Sequence, residues 1–235
     1  MRLDTYLEKH SLAGSRTKAQ AIIKDALVSV NDKIIQKSSY KVESEDRVEV
    51  AGHKEYVSRS AHKLKGFLDE LSMDAKGLVA LDIGSSTGGF TQILLEYGAK
   101  EVSAVDVGTR QLHEILRNDE RVYSYENTDI RDFISEKVFD LVVSDVAFIS
   151  LLNILDAVDT LANEKIILLF KPQFEVGREV KRDKHGVVLD DKAIANAMNN
   201  FEKKCNEKGW KLILKAPSSI SGKEGNLEYC YCYEK

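Results

Sequence analysis

From residue 77 onward the chain switches between two hydrophobic rhythms. Apolar runs of five to seven residues fall at 79–83, 102–106, 121–125, 139–144, 165–170, 211–215 and 227–233. Between them, apolar residues recur three or four apart at 89–97, 109–117, 150–161 and 190–208. The runs predict strands and the spaced stretches predict helices. Their alternation predicts an α/β fold, a mostly parallel sheet wrapped on both faces. The last two runs are joined by Pro217-Ser-Ser-Ile-Ser-Gly-Lys-Glu-Gly225 with no helical pattern. They are therefore expected to pair antiparallel.

Residues 1–50 read as a separate small α+β unit. Leu3, Tyr6 and Leu7 lie at helical spacing, and Ser15 is a candidate N-cap for a helix through Ala19, Ile22, Ile23 and Leu27. Val28-Ser-Val30, a turn at Asn31-Asp32, Lys33-Ile-Ile35 and Arg47-Val-Glu-Val50 predict short strands. Residues 51–60 read as a linker, with a turn at Ala51-Gly-His-Lys54, and 61–235 as the larger domain. The larger domain opens with a helix whose apolar stripe is Leu64, Phe67, Leu68 and Leu71.

Composition sharpens this division. The 235 residues carry 43 % hydrophobic residues and a net charge of −4, enough for a packed core and too acidic overall for a uniform nucleic-acid binder. The first 41 residues nevertheless hold eight Lys or Arg against four acids. A basic head on an acidic body suggests a docking module joined to an enzyme. No apolar run approaches a membrane span and the N-terminus has no apolar signal core, so a cytoplasmic protein is expected. Cys205, Cys230 and Cys232 lack zinc-type spacing and are expected to be reduced thiols.

Leu81-Asp-Ile-Gly-Ser-Ser-Thr-Gly-Gly-Phe-Thr91 reads as strand, glycine turn and helix start. Its spacing is neither that of a dinucleotide fingerprint nor that of a phosphate loop. With Asp82 before the turn and Asp106 ending the next strand, a nucleoside cofactor without a pyrophosphate fits, S-adenosylmethionine best. The candidate cofactor residues are Asp82, Gly84, Ser86, Gly88, Gly89, Phe90, Asp106, Asp129 and Asp145. Gly84 and Gly88 are expected to let the backbone approach the ligand. Asp106 is expected to take ribose hydroxyls, and Asp129 an adenine amino group. The plain alternative for Asp129 is a solvated loop acid.

Two strands deliver ionisable groups to the same sheet edge: Phe139-Asp-Leu-Val-Val-Ser-Asp145 and Lys165-Ile-Ile-Leu-Leu-Phe-Lys171-Pro172. Lys63 and Glu228 are further candidates at edges of that region, and a snorkelling structural lysine is the plain alternative for Lys171. Gln173 to Lys184 holds Arg178, Lys181, Arg182 and Lys184 and is expected to be a mobile loop gripping RNA phosphate, with Arg59, Lys63 and Lys65 extending the path. A solvated charge run is the alternative there, since acids interleave. No metal cluster is expected.

Two family resemblances follow from these motifs. Arg2-Leu-Asp4, Ser15-Arg-Thr-Lys-Ala-Gln20, Ile23 and Val28-x-Val-Asn31 resemble the S-four type RNA-binding domain. That resemblance implies that Arg2, Arg16 and Lys18 face RNA. The glycine turn, Ser144-Asp145, Leu169-Phe-Lys-Pro172 and Asn226-Leu-Glu228 resemble the FtsJ-like ribose 2′-O-methyltransferases. The two together resemble the TlyA family, historically called haemolysins. The resemblance implies a Rossmann-like class I methyltransferase sheet behind a small α+β S-four type domain. It also implies the catalytic tetrad Lys63, Asp145, Lys171 and Glu228, with S-adenosylmethionine as cofactor. The implied substrate is ribosomal RNA or a ribosomal subunit, at a cytidine 2′-hydroxyl in 23S and in some members also 16S RNA. The chain resembles the shorter members, which implies the large-subunit target alone. Ser60 departs from the glycine that the family tends to place before Ala-His-Lys-Leu. No stable membrane association and no protein partner are expected. The competing readings are a membrane-active haemolysin and a non-catalytic RNA-binding protein; an intact tetrad opposes the latter.

Overall fold

A computed structural model describes residues 1–51 and 56–235, in two compact units, Met1–Glu55 and Tyr56–Lys235. Apart from Ala51, the turn expected at 51–54 lies outside the described residues.

The first unit runs α1 (Leu3–Lys9), α2 (Arg16–Lys24), β1 (Val28–Val30), β2 (Lys33–Ile34) and β3 (Val48–Val50). Its sheet has the order β2-β1-β3 and is antiparallel throughout. Leu3, Leu7, Ala19, Ile23, Val28, Val30 and Val42 fill its core, so one face of each helix is spent on packing and the other is free. Ser15 caps α2, its hydroxyl accepting the Lys18 amide at 3.2 Å, a contact worth about 1 kcal/mol. Asn31 and Asp32 both have positive φ, as a two-residue hairpin turn requires.

The second unit opens with α3 (Ser60–Leu71) and continues with β4 (Val79–Ile83), α4 (Gly89–Glu96), β5 (Glu101–Val105), α5 (Glu114–Arg117), β6 (Val122–Tyr125) and β7 (Phe139–Ser144). A 3-10 turn at Leu151–Asn153 precedes α6 (Leu155–Leu161), β8 (Ala162–Phe170), α7 (Pro172–Glu175), α8 (Asp191–Glu207), β9 (Lys211–Pro217) and β10 (Tyr229–Glu234). The seven-stranded sheet has the order β6-β5-β4-β7-β8-β10-β9. β4 to β8 pair in parallel, while β10 runs antiparallel between β8 and β9.

Side-chain alternation sorts the layers. Ala80, Val102, Leu141, Val143, Ile167, Leu169, Cys230 and Cys232 face α3 and α4. Leu81, Val105, Val142, Ile166, Leu168, Phe170, Tyr231 and Tyr233 face α6 and α8. All three cysteines are free and buried.

One expected helix is largely absent. Of 109–117, only Glu114–Arg117 is helical. The Glu126 carboxylate accepts the amides of Arg110, Gln111 and Leu112 at 2.7 to 3.2 Å and holds that stretch as a turn. Those amides pull the Glu126 carboxyl below its usual range.

Candidate functional site

Four strand ends converge. β4 ends into the glycine turn, β7 ends one residue before Asp145, and β8 ends one residue before Lys171. Because β10 is antiparallel, it starts where β8 stops: Tyr229 pairs with Phe170, which sets Glu228 beside Lys171. Lys63 arrives from the first turn of α3.

The four side chains meet. Lys63 Nζ donates to Glu228 Oε2 at 2.6 Å and lies 4.0 Å from Asp145 Oδ2. Lys171 Nζ pairs with Asp145 Oδ1 at 2.6 Å and donates to the Asp145 main-chain oxygen at 3.3 Å. Asp145 thus bridges both amines. No side chain of the four is more than 13 % exposed. Two buried cations and two buried anions hold each other; stripping one partner would strand a charge.

The tetrad lines a cleft of about 950 Å³ together with Arg59, Gly84, Ser85, Ser86, Thr87 and Phe90. This is ample room for a nucleoside and a sugar. Beneath it, Asp82 is fully buried. Thr91 donates its hydroxyl to Asp82 Oδ2 at 2.6 Å, and Oδ1 has no partner among the described residues. Burial pushes the Asp82 carboxyl up to about 7. An unsatisfied buried oxygen under a glycine turn suits a ligand bearing an amine or hydroxyl. The residues present therefore fit a nucleoside cofactor.

The glycines have a reason within the protein itself. Gly84 and Gly88 have φ of +78° and +98°. A side chain at Gly84 would meet the backbone of Val146 at 3.1 Å, and one at Gly88 would meet Leu112 and Leu116. One at Gly89 would strike Ser58 and Ser60, packed at the start of α3. These positions are closed by the protein's own packing.

Several expected contacts are spent elsewhere. Asp106 accepts the amides of Ser86 at 2.8 Å and Gly108 at 2.6 Å. It therefore braces the glycine turn, and Ser86 itself sits at positive φ with its hydroxyl on Gln111. Asp129 is bidentate to Arg131, which holds its carboxyl below the usual range. The described lining of the cleft includes neither acid. Lys65 pairs with Asp69 at 2.7 Å. It stands two residues from Lys63, a rotation of about 200° that puts it on the opposite side of α3.

The basic segment is folded in on itself. Arg182, expected to grip RNA, donates to the main-chain oxygens of Gln173, Gly177, Arg178 and Val180. Asp183 accepts the amides of His185 and Val187, and Asn226 takes the amide of Val188 at 3.0 Å. The loop expected to be mobile is thus a bonded hairpin, with Arg178, Lys181 and Lys184 exposed on it. Arg59 lines the cleft and donates to the Ser221 main-chain oxygen at 3.4 Å.

Sequence reasoning missed the cleft rim. Phe148 follows Asp145 by three residues, has φ +65° and is 91 % exposed. Its ring lies 5.3 Å from that of Phe174. An isolated aromatic in a loop carries no periodic signal, so nothing in the pattern marks it.

In the first unit, Asp4 is fully buried. It receives both Nε and a terminal nitrogen of Arg2, Nε of Arg16 at 3.0 Å and the Gln20 amide at 3.0 Å. Those donors, Arg2 first, hold its carboxyl far below the usual range. Arg2 and Arg16 keep about half their side chains exposed, at 46 % and 51 %, and Lys18 is exposed. Among the described residues, no three His, Cys, Asp or Glu side chains cluster as metal ligands.

Both units resemble known proteins. A family profile described as FtsJ-like methyltransferase matches residues 56–235, and one described as S4 domain matches 1–48. A 23S rRNA (cytidine-2′-O)-methyltransferase TlyA of Campylobacter jejuni is 48 % identical, covering all of both chains. A 16S/23S rRNA (cytidine-2′-O)-methyltransferase TlyA of Mycobacterium tuberculosis is 38 % identical over 97 % of this chain and 87 % of its own. The solved structure of a Streptococcus thermophilus protein named a hemolysin superposes with a TM-score of 0.74 at 33 % identity. It covers all of this chain and 88 % of the other.

Proposed function

We infer, because the chain belongs to the TlyA family of FtsJ-like methyltransferases, that it methylates a ribose 2′-hydroxyl of ribosomal RNA with S-adenosylmethionine as donor. The observation that carries this reading is the meeting of Lys63, Asp145, Lys171 and Glu228 in one cleft with the glycine turn. Relatives named for a cytidine of 23S RNA support the same target here, which puts the work in the cytoplasm, where ribosomes are.

Each residue has a chemical task. A ribose hydroxyl is a very weak acid and must shed its proton as its oxygen attacks carbon. Lys171 in its neutral form is the base. Its amine lies 2.6 Å from Asp145 Oδ1 and donates to the Asp145 main-chain oxygen, and once it has given up its extra proton its lone pair is the acceptor for the hydroxyl proton. Asp145 fixes that amine. Glu228 and Lys63 form a charged pair beside it and orient the sugar. Gly84 to Thr87 and Phe90 hold the cofactor, with Asp82 buried beneath them and Asp106 bracing their turn. Bound there, the cofactor supplies a methyl carbon on a sulfonium leaving group. The rest is alignment of three atoms in line.

Phe148 offers a bare aromatic face at the rim, on which the target base stacks. The first unit docks RNA through Arg2, Arg16 and Lys18, with Arg59, Arg178 and Lys181 adding phosphate contacts near the cleft.

The test is transfer of labelled methyl from the cofactor to unmodified ribosomal subunits, with the product mapped by mass spectrometry. One 2′-O-methylated nucleotide is expected, and no labelled RNA from either subunit refutes the reading. The hemolysin name belongs to a relative. Among the described residues no helix is long and apolar enough to cross a membrane, and dye release from liposomes without cofactor distinguishes a lytic activity.

A further inference from the structure

The loop between Asp145 and Leu151 carries Phe148 in an unfavourable conformation. A non-glycine residue at φ +65° costs energy, and so does a phenyl ring almost wholly in water. Such a conformation persists where the surroundings hold it. The surroundings here are α7. Glu175, on its last turn, accepts the Ser150 hydroxyl at 2.5 Å on Oε2 and the Leu151 amide at 2.8 Å on Oε1. Ser150 Oγ in turn accepts the Leu152 amide at 3.1 Å and caps the 3-10 turn. Phe174, the residue before Glu175, meets the Phe148 ring.

The same short helix follows Lys171 directly. The two arms of the cleft rim, one leaving Asp145 and the other leaving Lys171, are thus tied by one carboxylate. A mostly buried acid is a costly way to tie a loop, and burial pushes its carboxyl upward. Both of its oxygens are used, and both bonds end within three residues of Phe148.

We propose that Glu175 is a positioning residue for the target nucleotide: it clamps the 146–151 loop to the Lys171 arm and so fixes the Phe148 face against which the base rests. It touches neither the ribose nor the cofactor. The inference rests on the ribose-methylating reading of the cleft and adds to it the device that sets the rim.

The experiment is steady-state methyl transfer to unmodified ribosomal subunits by the full-length protein, with cofactor affinity measured separately. Glu175→Ala is expected to raise KM for the subunit about tenfold, with cofactor Kd unchanged and kcat within about threefold. Glu175→Gln keeps an acceptor for Leu151 and a polar group for Ser150, and is expected to stay within about threefold of the parent. Glu175→Ala on top of Phe148→Ala is expected to add little, since the clamp acts through that ring. A Glu175→Ala loss that multiplies with that of Phe148→Ala overturns the proposal, as does a shifted cofactor Kd or an unchanged KM. Failure of the parent protein to methylate a ribose refutes the function itself, which is a separate outcome.

Discussion

Asp4 and Asp82 are both fully buried, one in each unit, and their carboxyls move in opposite directions. Asp4 gathers two arginines, a glutamine and a backbone amide, which hold its carboxyl far below the usual range. Asp82 has a threonine hydroxyl and one unmatched oxygen, and burial holds its proton to about pH 7. Depth and partners decide the charge together: Asp82 lies deep with few donors, and Asp4 lies just under the surface among many. The first arrangement serves display: an anion out of sight keeps two guanidinium groups aimed outward, as their planar forks allow. The second serves reception, since a carboxyl near half ionisation can either donate or accept. The tetrad lies between them, with acids and amines matched one to one.

Removing a cation from the matched set has the largest effect. Lys171→Ala turns Asp145 toward the condition of Asp82 and removes the base. Methyl transfer is expected to fall about a thousandfold or more, with cofactor Kd, read by calorimetry, within about threefold. Lost cofactor binding would mean that Lys171 serves the pocket and not the chemistry.

Asp82 itself is tested by pH. Its folded-state pKa lies above the ordinary carboxylate value, so between about pH 4 and 7 the folded chain keeps a proton that the unfolded chain has lost. That linkage removes roughly 4 kcal/mol of stability across the window as pH rises. Asp82→Asn should flatten this limb in urea denaturation series. Asp4 has the opposite sign: its contribution is present above about pH 4 and is lost as pH falls below it.

Asp4→Asn probes display directly. Simple electrostatics says that deleting an acid from a basic face strengthens RNA binding. The clustered geometry says the reverse, because Arg2 and Arg16 lose their anchor. Affinity for ribosomal RNA fragments is expected to drop about tenfold, and Arg2→Ala with Arg16→Ala to flatten the salt dependence by about 1.5 in log–log slope. Lys65→Ala closes the series with the smallest effect. Its amine is paired on the far side of α3, and transfer is expected to stay within about twofold.

Much of this was legible beforehand, for reasons that can be named. The strands at 79–83 and 139–144 end where their apolar runs end: each is buried on both faces, and β4 gives way to the glycine turn while β7 closes on Ser144. The tetrad was legible through motif resemblance together with the rule that parallel strands deliver their C-terminal residues to one edge. The opposite pairing of β10, read from a helix-free connection, brings Glu228 to that edge too. What could not be read depends on which partner each side chain takes, whether near or far along the chain. Asp129 looked free until Arg131 folded onto it, and Arg182 looked like a phosphate ligand until four carbonyls claimed it. Gly88 is explained by Leu112 and Leu116, more than twenty residues away. Glu175 and Phe148 sit outside any period, and only the folded chain connects them.

The insertion of β10 between β8 and β9 has a consequence for biogenesis. Translation releases this strand after every other strand of the sheet, yet it carries the fourth partner of the tetrad and fills a gap in the middle of one half of the sheet. A growing chain still short of residue 228 would hold its glycine turn and Lys171 without the carboxylate that balances Lys63. Entry of β10 into the sheet and completion of the tetrad are therefore a single event.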